Sequence, residues 1–170
     1  TGAPLDISDV ISNGTSILHH FSFQDPYLWR DQQKNTDLLD QKTSYSNLSV
    51  IPRDALEFLD QEIGRAIQLR NGQKVPVLII ECKNSEGLIH YLDAIAKQIP
   101  NQRSDHFFVE QYKQHIIRKL PVKNLPVLLF GDIAKDLPEG YYSSFENYVL
   151  MSPNLPVLKE FLSDILNENT

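Results

Sequence analysis

The sequence predicts an α/β domain, and three observations carry that expectation. Two apolar runs, Val75 to Cys82 (VPVLIIEC) and Val122 to Gly131 (VKNLPVLLFG), are too short for helices and lack polar alternation, as strands covered on both faces do. Each holds a proline near its start, Pro76 and Pro126, where a strand tolerates a missing N–H. Between and around them, apolar residues recur at helical spacing. The two runs are therefore expected side by side at the centre of one sheet.

Residues 1–50 are polar, rich in Ser, Asn, Asp and Gln, and read as an N-terminal extension to a domain spanning 51–170. Within the extension Ile17 to Phe23 suits a short strand, and Pro26-Tyr27-Leu28-Trp29 carries the only tryptophan. The aromatics Tyr27 and Trp29 either tack the extension onto the domain, because a large ring buries much apolar surface, or present an anchor to a partner. Packing is the favoured reading, since exposed large aromatics are the exception.

From Asp54 to Arg70 a helix is expected after Pro52, with Ala55, Leu56, Leu59, Ile63, Ala66 and Ile67 on one stripe and Asn71-Gly72 as its stop. Ser85 to Ile99 follows the strand at Val75 as a second amphipathic helix, carrying Leu88, Ile89, Leu92, Ile95, Ala96 and Ile99, and Pro100-Asn101 ends it. His106 to Gln111 is a candidate strand and Tyr112 to Leu120 a short helix. A strand then starts near Pro126, and Asp132 to Ser144 reads as an irregular connection. Phe145 to Met151 is the last strand, near a sheet edge. Asn154 caps a terminal helix with Val157, Leu158, Phe161, Leu162, Ile165 and Leu166 on its buried stripe.

Composition bounds the chemistry. The 170 residues suit one domain with a substantial core. A formal charge of -6 gives no general attraction for phosphate backbones or anionic membranes, so nucleic acid is not an expected partner. No apolar run approaches a membrane span, and a soluble chain without membrane insertion is expected. Cys82 is the only cysteine, which removes an intrachain disulfide, a CxxC pair and any multi-cysteine zinc site. A cytoplasmic setting suits it. The sequons Asn13-Gly14-Thr15 and Asn47-Leu48-Ser49 leave a luminal or extracellular setting open.

The segment KVPVLIIECKNSEGLIHYLDAIAKQI resembles the second strand and active-site helix of a thioredoxin, VKNLPVLLFGD resembles the segment that carries its cis-proline, and PNLPVLKEFLSDIL is similar to its terminal helix. The resemblance implies a thioredoxin-like three-layer α/β/α sandwich. It also implies that Pro126 stands where the family has a cis-proline beside a peptide-binding groove. A Rossmann-like doubly wound parallel sheet, with a site at the strand ends, is the alternative. Where the family keeps its redox motif, this chain has Asn84-Ser85-Glu86-Gly87-Leu88 and no cysteine. A dithiol cycle needs a second thiol to release the mixed disulfide, so disulfide exchange is ruled out. A groove formed by Ser85, Glu86, Gly87, Leu125 and Pro126, with Tyr27 and Trp29 adding contacts, is what the scaffold would still offer.

Three further motifs each have a structural alternative. Glu81-Cys82-Lys83 resembles the E-x-K of the nuclease family named for its PD and (D/E)xK motifs, where a carboxylate from a preceding hairpin strand and the Glu hold a divalent metal while the Lys positions water. A helix predicted over Asp54 to Arg70 supplies no such hairpin, and it leaves Asp60 in mid-helix. Cys82 near a helix start suits a reactive monothiol, or simple burial at the end of an apolar strand. His19 and His20, as strand neighbours, point to opposite faces; His90, His106 and His115 have no ligand-spaced partner. Neither GxGxxG nor GxxxxGK[ST] occurs, and no cofactor is expected. The expected function is a non-catalytic module that binds another protein or peptide, with the metal nuclease at Glu81 and Lys83 and a monothiol at Cys82 as alternatives.

Overall fold

A computed structural model of the chain describes residues 6–33, 52–99 and 107–168. Its centre is a seven-stranded sheet built from β1 (Thr15–Ser22), β2 (Leu59–Arg70), β3 (Gln73–Cys82), β4 (Phe108–Tyr112), β5 (His115–Lys119), β6 (Tyr141–Phe145) and β7 (Tyr148–Ser152). Their spatial order is β1-β2-β3-β7-β6-β5-β4, and every neighbouring pair is antiparallel. That finding overturns both the thioredoxin-like sandwich and the doubly wound parallel sheet, since each needs parallel strands. The helices are short companions: α1 (Pro26–Asp31), α2 (Ser85–Lys97), α3 (Leu125–Phe130) and α4 (Leu155–Glu168).

The sheet is apolar on both faces. On one, Leu59, Ile63, Leu78 and Ile80 pack with α2, α3 and the 3-10 turn at Pro52–Phe58. On the other, Ala66, Val77, Ile79 and Leu150 pack with α4 and the 3-10 turn at Ile7–Val10. The expected helices at Ser85–Ile99 and Asn154 onward are present, each capped by an Asn side chain: Asn84 Oδ1 accepts from the Gly87 N–H at 2.9 Å and Asn154 Oδ1 from the Val157 N–H at 3.0 Å. Val75–Cys82 is a strand as expected, extended back to Gln73. Inside it the Pro76 carbonyl accepts from the Ser152 hydroxyl at 3.1 Å, at the point where the ladder to β7 has ended. Pro100-Asn101, His106 and Asn47-Leu48-Ser49 lie outside the described residues, as does the side chain of Leu166.

Three expected elements are replaced and the last strand is shifted. The helix expected at Asp54–Arg70 is a 3-10 turn followed by the twelve-residue strand β2. Asn71 (φ 50°) and Gly72 (φ 77°) are not a helix stop but a two-residue hairpin turn, closed by the pair Arg70 and Gln73. Two positive φ angles in sequence match the right-handed twist of the flanking strands, and Asn-Gly adopts them most readily. The helix expected at Tyr112–Leu120 is β5, joined to β4 by a turn with Lys113 at φ 53°. The last strand begins at Tyr148, not Phe145, after a hairpin with Glu146 at φ 52°. It is a central strand with every residue buried, not an edge.

The largest change is at Pro126. Leu125–Phe130 is the helix α3, so the second of the two expected central strands does not exist, and β3 sits between β2 and β7 instead. Periodicity cannot separate a short buried helix from a short buried strand. Pro126 sits in the first turn, where its missing N–H is one of the helix's unpaired donors anyway. At the other end the completely buried Arg30 of α1 takes the free carbonyls: its Nε donates to Leu129 O and an Nη to Leu128 O, both at 3.1 Å. Burial lowers the Arg30 pKa, yet a guanidinium against the negative end of a helix keeps a favourable field.

Arg30 is thus a structural tie between α1 and α3. Arg30→Met retains most of the apolar stem but strands two buried carbonyls, each costing about 1–3 kcal/mol. Urea unfolding should show a loss on the order of 2–4 kcal/mol. A variant as stable as the parent would mean that these bonds contribute nothing.

Candidate functional site

The hairpin of β2 and β3 gathers acidic groups at the end away from its turn. The register passes from Leu59 opposite Cys82 to Ile63 opposite Ile80, so Asp60, Gln61 and Glu62 all stand against Glu81 alone. Such a bulge leaves surplus backbone donors, and the Glu81 carboxylate takes one of them, the Gln61 N–H at 3.3 Å. The Gln61 carbonyl accepts from the Phe23 N–H at 2.8 Å, which ties the bulge to the chain after β1. Burial first, then the negative charges of Asp60 and Glu62, raise the Glu81 pKa; the Gln61 and Glu62 amides oppose the rise. Glu62 also faces His20 Nε2 at 3.4 Å.

Lys83 lies just beyond β3, two residues after Glu81, with its side chain exposed. Its N–H donates to the Phe58 carbonyl at 2.9 Å, so the last 3-10 residue before β2 fixes the backbone that follows Glu81. Asp60 starts the strand at that same end. Sequence reasoning missed it because a residue in a helix has no cross-strand neighbour; the Asn71-Gly72 dipeptide was the signal that could have placed it. Among the described residues no three His, Cys, Asp or Glu side chains converge as a metal cage. The carboxylates of Asp60, Glu62 and Glu81 and the Lys83 ammonium are what this end of the hairpin provides.

The residues of the expected groove, Ser85–Gly87 and Leu125–Pro126, lie in the first turns of α2 and α3. Ser85 Oγ donates to the Glu146 carbonyl at 2.8 Å, Glu86 points to solvent in the first turn of α2, and Gly87 lies so close to Phe58 that a β-carbon would sit 2.7 Å from the ring. Leu125 and Pro126 are buried in α3, where every described peptide bond is trans. The 3-10 turn at Pro52–Phe58 packs against both α2 and α3. Trp29 is buried and stacked on Phe23 with ring centroids 4.9 Å apart, whereas Tyr27 stays at the surface.

A cleft of about 310 Å³ opens near the turn end of the same hairpin, lined by Arg65, Lys74, Pro76, Asp136 and Asn154 among others. Arg65 is ion-paired with Asp136 there. No expected site residue reaches it.

Cys82 closes the monothiol geometry. It is 2 % exposed, its thiol donates to the Ile80 carbonyl at 3.6 Å, and burial, with the charge of Glu81 added, pushes its pKa far above the ordinary 9.0. A thiol in that state is not a nucleophile at neutral pH. The folded protein should therefore resist alkylation at pH 7.5, reacting only as it unfolds. The same shift sets an alkaline limit. A group whose folded pKa is raised contributes stability below its unfolded pKa and loses it as pH rises. Stability should fall above about pH 9 by roughly 1.4 kcal/mol per unit for this one group. Cys82→Ala should move the onset toward pH 10, where Tyr91 and Tyr142, both raised chiefly by burial from 10.0, take over. Chemical denaturation between pH 7 and 11 measures both.

Comparison of the chain with protein-family models, with curated proteins and with solved structures finds no match.

Proposed function

We propose that the chain is a metal-dependent phosphodiesterase whose centre is Asp60, Glu81 and Lys83. The observation that carries this reading is the antiparallel pairing of β2 with β3, which sets Asp60 in the bulge across from Glu81, with Lys83 at the end of the same strand. Read with a helix over Asp54–Arg70, the E-x-K motif lacks the hairpin that its chemistry needs. With the hairpin present, the two carboxylates become neighbours and the motif regains its context.

The donor set fits a hard cation. Asp60 and Glu81 offer carboxylate oxygens of the kind that Mg²⁺ and Mn²⁺ take. Glu81 also holds its proton more tightly than an ordinary Glu, through burial first and the charges of Asp60 and Glu62 second, and a cation there relieves that repulsion. A bound divalent ion would supply an activated water and neutralise a phosphoryl oxygen. The chain's own contribution is the fixed carboxylate at Glu81, held by the bulge amide, and the Lys83 ammonium, which offsets charge developing on phosphate. Against a net charge of -6, small phosphodiesters and short single strands are better substrates than long duplexes, which need a basic track.

Hydrolysis of bis(p-nitrophenyl) phosphate and of a short single-stranded oligonucleotide, assayed with Mg²⁺ or Mn²⁺, tests the reading. Glu81→Gln and Lys83→Ala should each cut the rate about 100-fold or more. Metal affinity should weaken on acidification, as Glu81 takes up its proton at a higher pH than an ordinary Glu. Absence of turnover with either ion, or full activity in Glu81→Gln, would sink it.

A second reading, a non-catalytic module that binds another protein or peptide, draws on a different feature. β1 lies at an open sheet edge and carries Ile17 and Phe21, 45 % and 44 % exposed, on one face. An extended peptide adds to such an edge through backbone hydrogen bonds.

A further inference from the structure

The two edges of the sheet are built differently. β4, at one end, is five residues long, is interrupted by a bulge between Phe108 and Glu110, and carries an acidic side chain paired with Lys159 at 2.9 Å. Shortness, bulges and charge are the devices by which edges are kept from pairing with other chains. β1, at the other end, has none of them along Ile17–Ser22. Its sequence TSILHHFS contains no Asp, Glu, Lys, Arg or Pro, and its pairing to β2 is irregular only between Thr15 and Ile17. Among the described residues no strand covers its outer side.

We propose that the chain forms a two-fold homodimer in which β1 pairs antiparallel with β1 of a second copy, centred on His19. The proposal rests on the open edge that also supports the interaction reading, and it is independent of the phosphodiesterase. Symmetry restricts the possible registers. Opposed residues in an antiparallel pair have side chains on the same face, and a two-fold axis normal to the sheet preserves faces, so the axis passes through a residue opposed to itself. Ile17, His19 and Phe21 share one face, opposite Ile67, Arg65 and Ile63 of β2. Centring on Leu18 sets Ile17 against His19, and centring on His20 sets Phe21 against His19. Only the axis through His19 sets Ile17 of each copy against Phe21 of the other, covering the two exposed apolar side chains of the strand in two equivalent pairs. Leu18 then meets His20 on the opposite face, and His19 meets itself on the axis. Pairs of an aromatic with a β-branched side chain are among the favourable cross-strand combinations.

An eight-residue edge makes a small interface, so dimerisation should depend on concentration. Sedimentation velocity of the full chain over a hundredfold concentration range should show a species growing toward twice 19.5 kDa. His19→Lys alone and His19→Glu alone should each be monomeric, because like charges oppose each other on the axis. Mixing the two variants should restore the dimer, since Lys then faces Glu; a misfolded variant would not be rescued. The proposal is overturned if the parent chain stays monomeric throughout, if it associates beyond a dimer, or if either single variant dimerises as the parent does. A monomer that still binds an extended peptide at this edge would overturn self-pairing and leave the interaction reading standing.

Discussion

The β2–β3 hairpin is the constraint on which the rest of the structure depends. Its turn fixes the register from Arg70 and Gln73 onward, and because side chains alternate, a slip of one residue would send Ile63 and Ile80 from one apolar layer to the other. β1 is laid on its outer side and β7 on its inner side, so both halves of the sheet inherit that register. The helices follow from the same choice. α2 and α3 find Leu59, Ile63 and Ile80, while α4 finds Ala66, Val77 and Ile79.

What could be read from the sequence was whatever carried one period and one face. β3 is apolar from Val75 to Ile80, α2 and α4 each keep a single stripe with an Asn at the cap, and Trp29 packs as a large ring is expected to. β2 was illegible because two cores share it. Leu59 and Ile63 serve one layer and Ala66 the other, and Ala55 and Leu56 belong to the turn before it, so a strand and a 3-10 segment together imitate a helical stripe. β5 was hidden by its turn: Lys113 adopts a positive φ that its residue type does not announce, unlike Gly72. α3 could not be read locally, since the groups that complete it come from α1. The site followed the same rule. Glu81 and Lys83 stood out as a motif on a legible strand, whereas the place of Asp60 in the bulge across from Glu81 came only with the strand that carries it.

The bulge opposite Glu81 shows how a structural demand and a chemical opportunity coincide. Three residues crowd against one, a surplus amide needs an acceptor, and a carboxylate supplies it. The same carboxylate is thereby immobilised beside other acids and half withdrawn from water. Rigid placement of a charged group at the end of a strand is a prerequisite for chemistry there, and the sheet provides it without any loop.

The tie between Arg30 and α3 also has a temporal side. Arg30 and Leu129 are 99 residues apart in sequence. A six-residue helix is too short to persist alone, so α3 depends on the groups packed around it, the Arg30 side chain of α1 among them. On a ribosome adding 5–20 residues per second, the Arg30 guanidinium would stay hydrated for on the order of 5 to 20 seconds before Leu129 exists, the separation being 99 residues. Closure of that contact therefore waits until the strands β1 to β5 have been made.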